Sequence, residues 1–320
     1  MKIRVGTRGS ALALTQTNLF IDRFRRHHPG INIEAVSIQT TGDKKQGTPL
    51  ARKGDKRDWI YELELGIVND TFDVVVHSGK DIPCDIESGT AMLPILERED
   101  ARDVFIGRKD QSTGKRALID DAPHGAMIGT ASLRRRASLL RSRPDLRVVE
   151  HRGNVPTRIE KLDASVELYG IVLAGAGVKR LSPPGLEWEW IDTNRMLPAI
   201  NQGQLVVQFL AARDDVRQAL MPLTDPKSVA AFDAERGVVS ILKGDCKSSV
   251  SIYASVTGAD RVAIQVRVML PDGSETLEGE GEDSCAGAFQ LGERVAQDLI
   301  SRGAEDLLER SRQMSEQHSA

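Results

Sequence analysis

The chain has 320 residues, of which 40% are hydrophobic, 28% charged and 4% aromatic, and its formal net charge is −3. That composition calls for a folded protein of two or three domains, excludes a general attraction to nucleic acid or anionic membrane, and leaves too few rings to stack single strands. No run of about 18 apolar residues is present to span a membrane, no apolar signal core follows Met1, and Cys84, Cys246 and Cys285 are too scattered for a paired metal site, all of which fits a reducing, cytoplasmic setting.

Residues 3–5 read as a short strand that breaks at Gly6-Thr7-Arg8-Gly9-Ser10. Ser10 then caps a helix whose apolar positions are Leu12, Leu14, Leu19, Phe20 and Phe24. A second strand is predicted over 31–38, and the polar, lysine-rich stretch 40–58 reads as a long mobile loop. A helix over 59–68 leads into the β-branched run Val74-Val75-Val76, a buried strand of a parallel sheet that Pro83 stops. Residues 93–102, with Pro94 and dense charge, read as a crossover between lobes.

A second α/β segment follows, with strands at 126–128, 146–150 and 171–173 and a helix from the Gly129-Thr130-Ala131-Ser132 turn to about residue 143. Both segments open as strand, Gly-Thr, turn with Ser, helix, which suggests two similarly built lobes facing each other. Leu197-Pro198-Ala199 reads as a return crossover, so that 201–210 packs back on the first lobe. Beyond Pro226 a helix over 228–242, strands over 251–256 and 262–270, and one final helix make a small α+β domain with an antiparallel sheet. The expected domains are 1–96 with 200–220, 101–196, and 224–320.

Two features carry chemistry. Lys80 and Asp81 are delivered to the carboxyl end of a buried strand, where open α/β sheets bind ligands; a rim pair of this kind also reads as merely solvated. Arginines recur near such strand ends: Arg8 in the first turn, Arg134, Arg135 and Arg136 in the first turn of the second segment's helix, Arg152 in the turn after the next strand, and Arg158 in the helix that follows it. Each cation at a helix N-terminus opposes the macrodipole by a few tenths to about 1 kcal/mol, so three together call for an anion there. Guanidinium suits bidentate capture of carboxylate or phosphate, with a solvated basic face as the plainer reading. No Walker-type loop or dinucleotide fingerprint is present, and His77 reads as structural. Cys246 lies between Lys243 and Lys247, which favour a thiolate; it also reads as a small buried residue at a domain edge.

Taken in order, these pieces resemble the porphobilinogen deaminase family. The resemblance runs through Thr7-Arg8-Gly9-Ser10-Ala11-Leu12, Thr41-Gly42-Asp43, Val76-His77-Ser78-Gly79-Lys80-Asp81-Ile82-Pro83 and Arg98-Glu99-Asp100-Ala101-Arg102-Asp103. It continues through Gly129-Thr130-Ala131-Ser132-Leu133-Arg134-Arg135, Arg152-Gly153-Asn154-Val155-Pro156-Thr157-Arg158, Leu197 to Gly203 and the Cys246 turn. It implies two periplasmic-binding-protein-like α/β lobes plus the small third domain. It also implies a transferase that condenses four porphobilinogen molecules, with loss of ammonia, into the linear tetrapyrrole hydroxymethylbilane. A dipyrromethane cofactor on Cys246 is implied, with Asp81 as catalytic carboxylate and Lys80, Ser132, Arg134 and Asp81 against the cofactor. Arg8, Ser10, Arg135, Arg152, Arg158 and Arg180 are implied to hold substrate.

The expected partner is porphobilinogen alone, without nucleic acid or membrane, bound by a cytoplasmic monomer. The chain departs from the family at Gly79, usually bulky and apolar, and in the Lys53-Gly54-Asp55-Lys56-Arg57-Asp58-Trp59 loop. It departs again at Gly244-Asp245, Ala131 and Gln208. A slow, divergent paralogue and a two-lobed anion-binding protein without chemistry are the alternatives.

Overall fold

The computed structural model describes residues 2–38, 57–110, 112–242 and 249–317. The first sheet has the order β2-β1-β3-β10-β4, from strands β1 (Lys2–Arg8), β2 (Asn32–Ile38), β3 (Val74–Ser78), β4 (Thr90–Ile95) and β10 (Leu205–Leu210). Its first three strands are parallel, while β10 runs antiparallel to both β3 and β4. Helix α1 (Ala11–His27) covers this sheet with Phe20, Ile21 and Phe24, which meet Ile3, Val5, Val74, Val76 and Phe209 in a dry core. On the opposite face α2 (Arg57–Val68) packs Leu63 and Ile67 against Phe72 and Val75.

The second sheet repeats the pattern in the order β7-β6-β8-β5-β9, from β5 (Asp103–Gly107), β6 (Met127–Gly129), β7 (Arg147–Val149), β8 (Leu168–Ala174) and β9 (Glu189–Trp190). Again three neighbouring strands are parallel and the strand that arrives from the other lobe is antiparallel. Alternate residues of β5 feed opposite faces: Phe105 joins Ile128, Leu139 and Val172, whereas Val104 and Ile106 join Leu162, Leu173 and Val178. The helices on these faces are α3 (Leu133–Ser142), α4 (Val155–Ala164) and α5 (Gly175–Leu181).

After α6 (Asp214–Leu220) the chain enters α7 (Pro226–Leu242), the antiparallel strands β11 (Ser249–Thr257), β12 (Arg261–Met269) and β13 (Thr276–Ser284), then α8 (Ala288–Ser301) and α9 (Ala304–Gln317). The alternating Val262, Ile264, Val266 and Val268 meet Ala234, Val238, Leu291, Val295 and Leu299. This third unit grips the crossovers: Arg98 donates to buried Glu235 at 2.7 Å and to the Gln202 carbonyl at 2.8 Å. We propose domains of 1–96 with 200–220, 101–196, and 224–320 on this basis.

Several predicted elements are corrected. The first strand does not break at Gly6 but pairs with β2 through Arg8, because seven consecutive register pairs outweigh the local turn signals. Leu14 and Leu19 are exposed, and the buried face of α1 is Gln16, Thr17, Phe20, Ile21 and Phe24. The sheet around β3 is mixed rather than parallel. Leu93 and Pro94 lie in β4, an edge strand, where a missing N–H costs little. The last helix is two, separated at Gly303 with φ 96°. The mobility expected of 40–58 falls almost wholly outside the described residues.

Candidate active site

Strand β3 ends at Ser78, and Gly79–Asp81 form a single 3₁₀ turn closed by the Ile82 N–H donating to the Gly79 carbonyl at 3.3 Å. The turn is fixed from behind at two points. The Gly79 N–H donates to the Gln204 carbonyl at 2.9 Å, and Arg236 of α7 donates to the Pro83 and Cys84 carbonyls at 2.9 and 2.6 Å. Lys80 and Asp81 are thereby presented, half-buried, to the space between the lobes. Lys80 feels the charges of Asp81 on its own turn and of Arg135, Asp103 and Arg158 across the cleft. Burial holds its ammonium down to about 8.

His77, one strand residue back, is buried and 2.9 Å from Gln208 Oε1. The Gln208 amide nitrogen donates to Glu64 Oε1 at 2.9 Å and Thr90 Oγ1 at 2.8 Å. Its oxygen therefore faces His77, whose Nε2 must carry the proton. Burial pushes His77 down to about 4, so the ring is neutral and structural, in line with its reading from sequence.

On the second lobe, Ser132 caps α3 by accepting from the Arg135 N–H at 3.4 Å, as Ser10 caps α1 by accepting from the Ala13 N–H at 3.3 Å. Arg134 and Arg135 are buried, and both meet Asp103, the first residue of β5, at 2.7 and 2.9 Å. Gln202 Nε2 adds a further donor to Asp103 at 2.9 Å. Burial alone would raise the Asp103 carboxyl, but the two guanidiniums hold it below the usual carboxylate range. The anion demanded by cations in this first helical turn is thus supplied internally. Arg136 donates to the Val148 carbonyl at 2.8 Å.

The remaining arginines are differently placed. Arg158 donates to the Gly153 carbonyl at 2.7 Å and Arg180 to the Gly203 carbonyl at 2.6 Å. Among the described residues neither makes a salt bridge, and burial lowers each guanidinium to about 10. Arg152 pairs with Glu150 at the more exposed edge, close enough to Arg158 to depress it further. Arg8 ends β1, where its charge reaches His77. A small cavity joins the lobes here, lined by Leu12 and Gln16 of α1, Lys80, Arg180, Gln202 and Gln204.

The structure therefore gathers Lys80, Asp81, Arg135 and Arg158 about one cleft, with Arg8, Arg152 and Arg180 at its margins. Cys246 lies outside the described residues. Sequence reasoning gave Asp103 no role; its signal was an acidic residue opening the otherwise apolar run Asp103-Val104-Phe105-Ile106. Among the described residues there is no group of acidic, His and Cys side chains able to hold a metal, and no helix long and apolar enough to cross a membrane.

The fold is similar in part to full-length CbnR complexed with its target DNA, at 11% identity and a TM-score of 0.44 over 70% of this chain and 68% of that one. It is also similar to the regulatory domain of MexT, a transcriptional activator in Pseudomonas aeruginosa, at 11% identity and a TM-score of 0.39 over 70% of this chain and all of that domain. Neither likeness is strong enough to bear on function. Two family models match in sequence: the dipyrromethane cofactor binding domain of porphobilinogen deaminase over residues 3–218, and the C-terminal domain of porphobilinogen deaminase over residues 229–301. Together with the ordered motifs, these matches place the chain in the porphobilinogen deaminase family.

Proposed function

We propose that the cleft between the two α/β lobes is where this chain carries out its family's reaction, with Asp81 at the reacting centre and the surrounding cations holding substrate carboxylates. The chain is a hydroxymethylbilane synthase, a transferase that joins four porphobilinogen molecules head to tail with release of ammonia. Its cofactor is dipyrromethane, which when bound supplies the pyrrole from which the product grows.

The observation that carries the assignment is the set of half-buried cations beside one carboxylate. Taking a cation out of water is unfavourable, and Lys80, Arg158 and Arg180 all show the depression that burial causes. Every pyrrole unit carries an acetate and a propionate, so each added unit brings anions to these positions. The residues present therefore fit both the cofactor and the substrate. Arg8, Ser10, Arg152, Arg158 and Arg180 are assigned to substrate, as is Arg135 at the floor of the cleft. Lys80, Ser132 and Arg134 are assigned to the cofactor side, with Cys246 as its covalent anchor. Arg134 and Arg135 act chiefly by fixing the charge of that floor, since Asp103 already occupies them.

Departure of ammonia from porphobilinogen leaves a cation on the substrate. A carboxylate held nearby stabilises that charge without reorganising at the moment of reaction. Asp81 is in position to accept pyrrole N–H hydrogen bonds and to move protons between the substrate and water. The scattered cysteines support a reducing, cytoplasmic setting, and the absence of a long apolar surface pattern in the sequence supports a monomer.

Lys80 provides the test. Its ammonium is intact below about 8 and is lost as pH rises through that value, well before an ordinary lysine would titrate at 10.5. Carboxylate capture should weaken over the same interval. The KM for porphobilinogen is expected to climb above pH 8 in the natural protein, and this limb should move upward or vanish in Lys80→Arg, whose charge persists. An identical limb in both proteins would remove Lys80 from substrate binding.

A further inference from the structure

We infer that Gly79 and Asn201 are a complementary pair, and that Asn201 is a positioning residue for the Lys80–Asp81 turn. A Cβ built on Gly79 would lie 2.7 Å from the Asn201 carbonyl oxygen and 2.8 Å from the Asn201 Cβ, with the Gln204 Cβ at 3.3 Å. No side chain fits at 79 while Asn201 stands where it does. The space that a residue at 79 would fill is filled from the facing segment.

Asn201 itself is badly suited to its place by local criteria. Its φ is 51°, in the left-handed region where glycine is at ease. It is fully buried, and its Oδ1 and Nδ2 have no hydrogen-bond partner among the described residues. Glycine would remove both penalties. What glycine would not supply is bulk against the backbone of Gly79, one residue from Lys80 and two from Asp81.

Asn201 is also rigidly held. Its N–H donates to the buried Glu235 carboxylate, which also accepts from the Ala254 N–H at 2.8 Å and from Arg98 at 2.7 Å. Three residues on, the Gln204 carbonyl accepts the Gly79 N–H. The 201–204 turn therefore forms a stop, tied to the third domain, against which the functional turn of the first lobe rests. Local disadvantage kept in a rigid, buried setting next to the reacting groups marks a residue retained for placement.

The inference rests on the assignment of Lys80 and Asp81 to the reaction, and a double-mutant cycle separates the two. Turnover is measured well below the melting temperature, and Tm is measured on the same cofactor-loaded proteins. Gly79→Ala should lower Tm and cut kcat by about tenfold or more, since a displacement near 1 Å is enough for such losses. Asn201→Gly should leave Tm unchanged or raised, yet still cut kcat, by roughly threefold to tenfold on the same reasoning. A purely structural role would not slow turnover while preserving stability. The double variant Gly79→Ala/Asn201→Gly should recover most of both losses, because glycine at 201 removes the Cβ contact and lets its carbonyl withdraw. Wild-type turnover in Gly79→Ala, or losses in the double variant that are the plain sum of the single ones, would overturn the pairing in an active enzyme. Coupling in Tm with a wild-type protein that never turns over would instead overturn the enzymatic assignment, and the positioning role with it.

Discussion

Asp81→Ala is expected to abolish nearly all product formation while leaving the fold and the cleft in place. The carboxylate is the single anion presented by the Gly79–Asp81 turn into a space that also takes the charges of Lys80, Arg135 and Arg158. Removing a positioned acid–base group typically costs about 10²–10⁴ in rate, and loss of preorganised charge stabilisation adds to it. Stability should change little, because Asp81 is half-exposed and the turn keeps its Gln204 and Arg236 anchors. Asp81→Asn should behave like the alanine variant, since shape without charge cannot stabilise a cation. The substitution has a second consequence. Asp81 supports the Lys80 ammonium, so without it the Lys80 titration should fall still further below about 8. Steady-state product formation, with urea midpoints as the control for folding, checks the first point. Turnover at the wild-type rate by the alanine variant would remove Asp81 from the chemistry.

The second large effect lies beneath the cleft. Asp103→Ala leaves Arg134 and Arg135 buried without their shared carboxylate and deprives Gln202 of an acceptor. Breaking a buried pair from one side typically destabilises by about 3–5 kcal/mol, because the remaining charge has no water to turn to. Here two cations are stranded, so the upper part of that range is expected, measured as a shift in the urea midpoint at unchanged slope. The pH dependence has a defined sign. The Asp103 carboxyl is held below its unfolded value of about 3.9, so its contribution is fully present above that pH and drains away as pH falls below it. The alanine variant should lose this part of the acid sensitivity. A variant as stable as the wild type would mean that the two arginines find other partners.

These two residues show how unevenly the site was legible in the sequence. Lys80 and Asp81 could be placed because a β-branched run followed by a polar cluster and Pro83 reads as a strand end in one dimension. Arg8, Arg134, Arg135 and Arg152 could be placed for the same reason, each at or just after a strand end, whereas Arg180 came only with the resemblance to the family. What they face could not. The anion beside Arg134 and Arg135 lies 31 and 32 residues upstream, on a strand whose neighbour in the sheet is known only from the topology. The departure at Gly79 is equally opaque in sequence, and its reason appears only when Asn201, 122 positions later, is seen against it. For the fold, β12 was evident from its alternation, whereas β13 reads Thr276-Leu277-Glu278-Gly279-Glu280-Gly281-Glu282-Asp283-Ser284 and gave no strand signal. Its glycines lie where Leu291, Val295 and Leu299 of α8 press on the sheet, and its three glutamates, Glu278, Glu280 and Glu282, face outward. Tertiary packing, not propensity, makes that strand.

We propose that the chain is primed by a covalent dipyrromethane on Cys246 and extends it with porphobilinogen in the interlobe cleft. Intact mass spectrometry of the purified protein, before and after incubation with porphobilinogen, tests it most directly. The protein should weigh more than its polypeptide by one dipyrromethane unit, gain further pyrrole units during turnover, and show neither increment in Cys246→Ala. A protein that stays at bare polypeptide mass after incubation would rule out a covalent primer on Cys246.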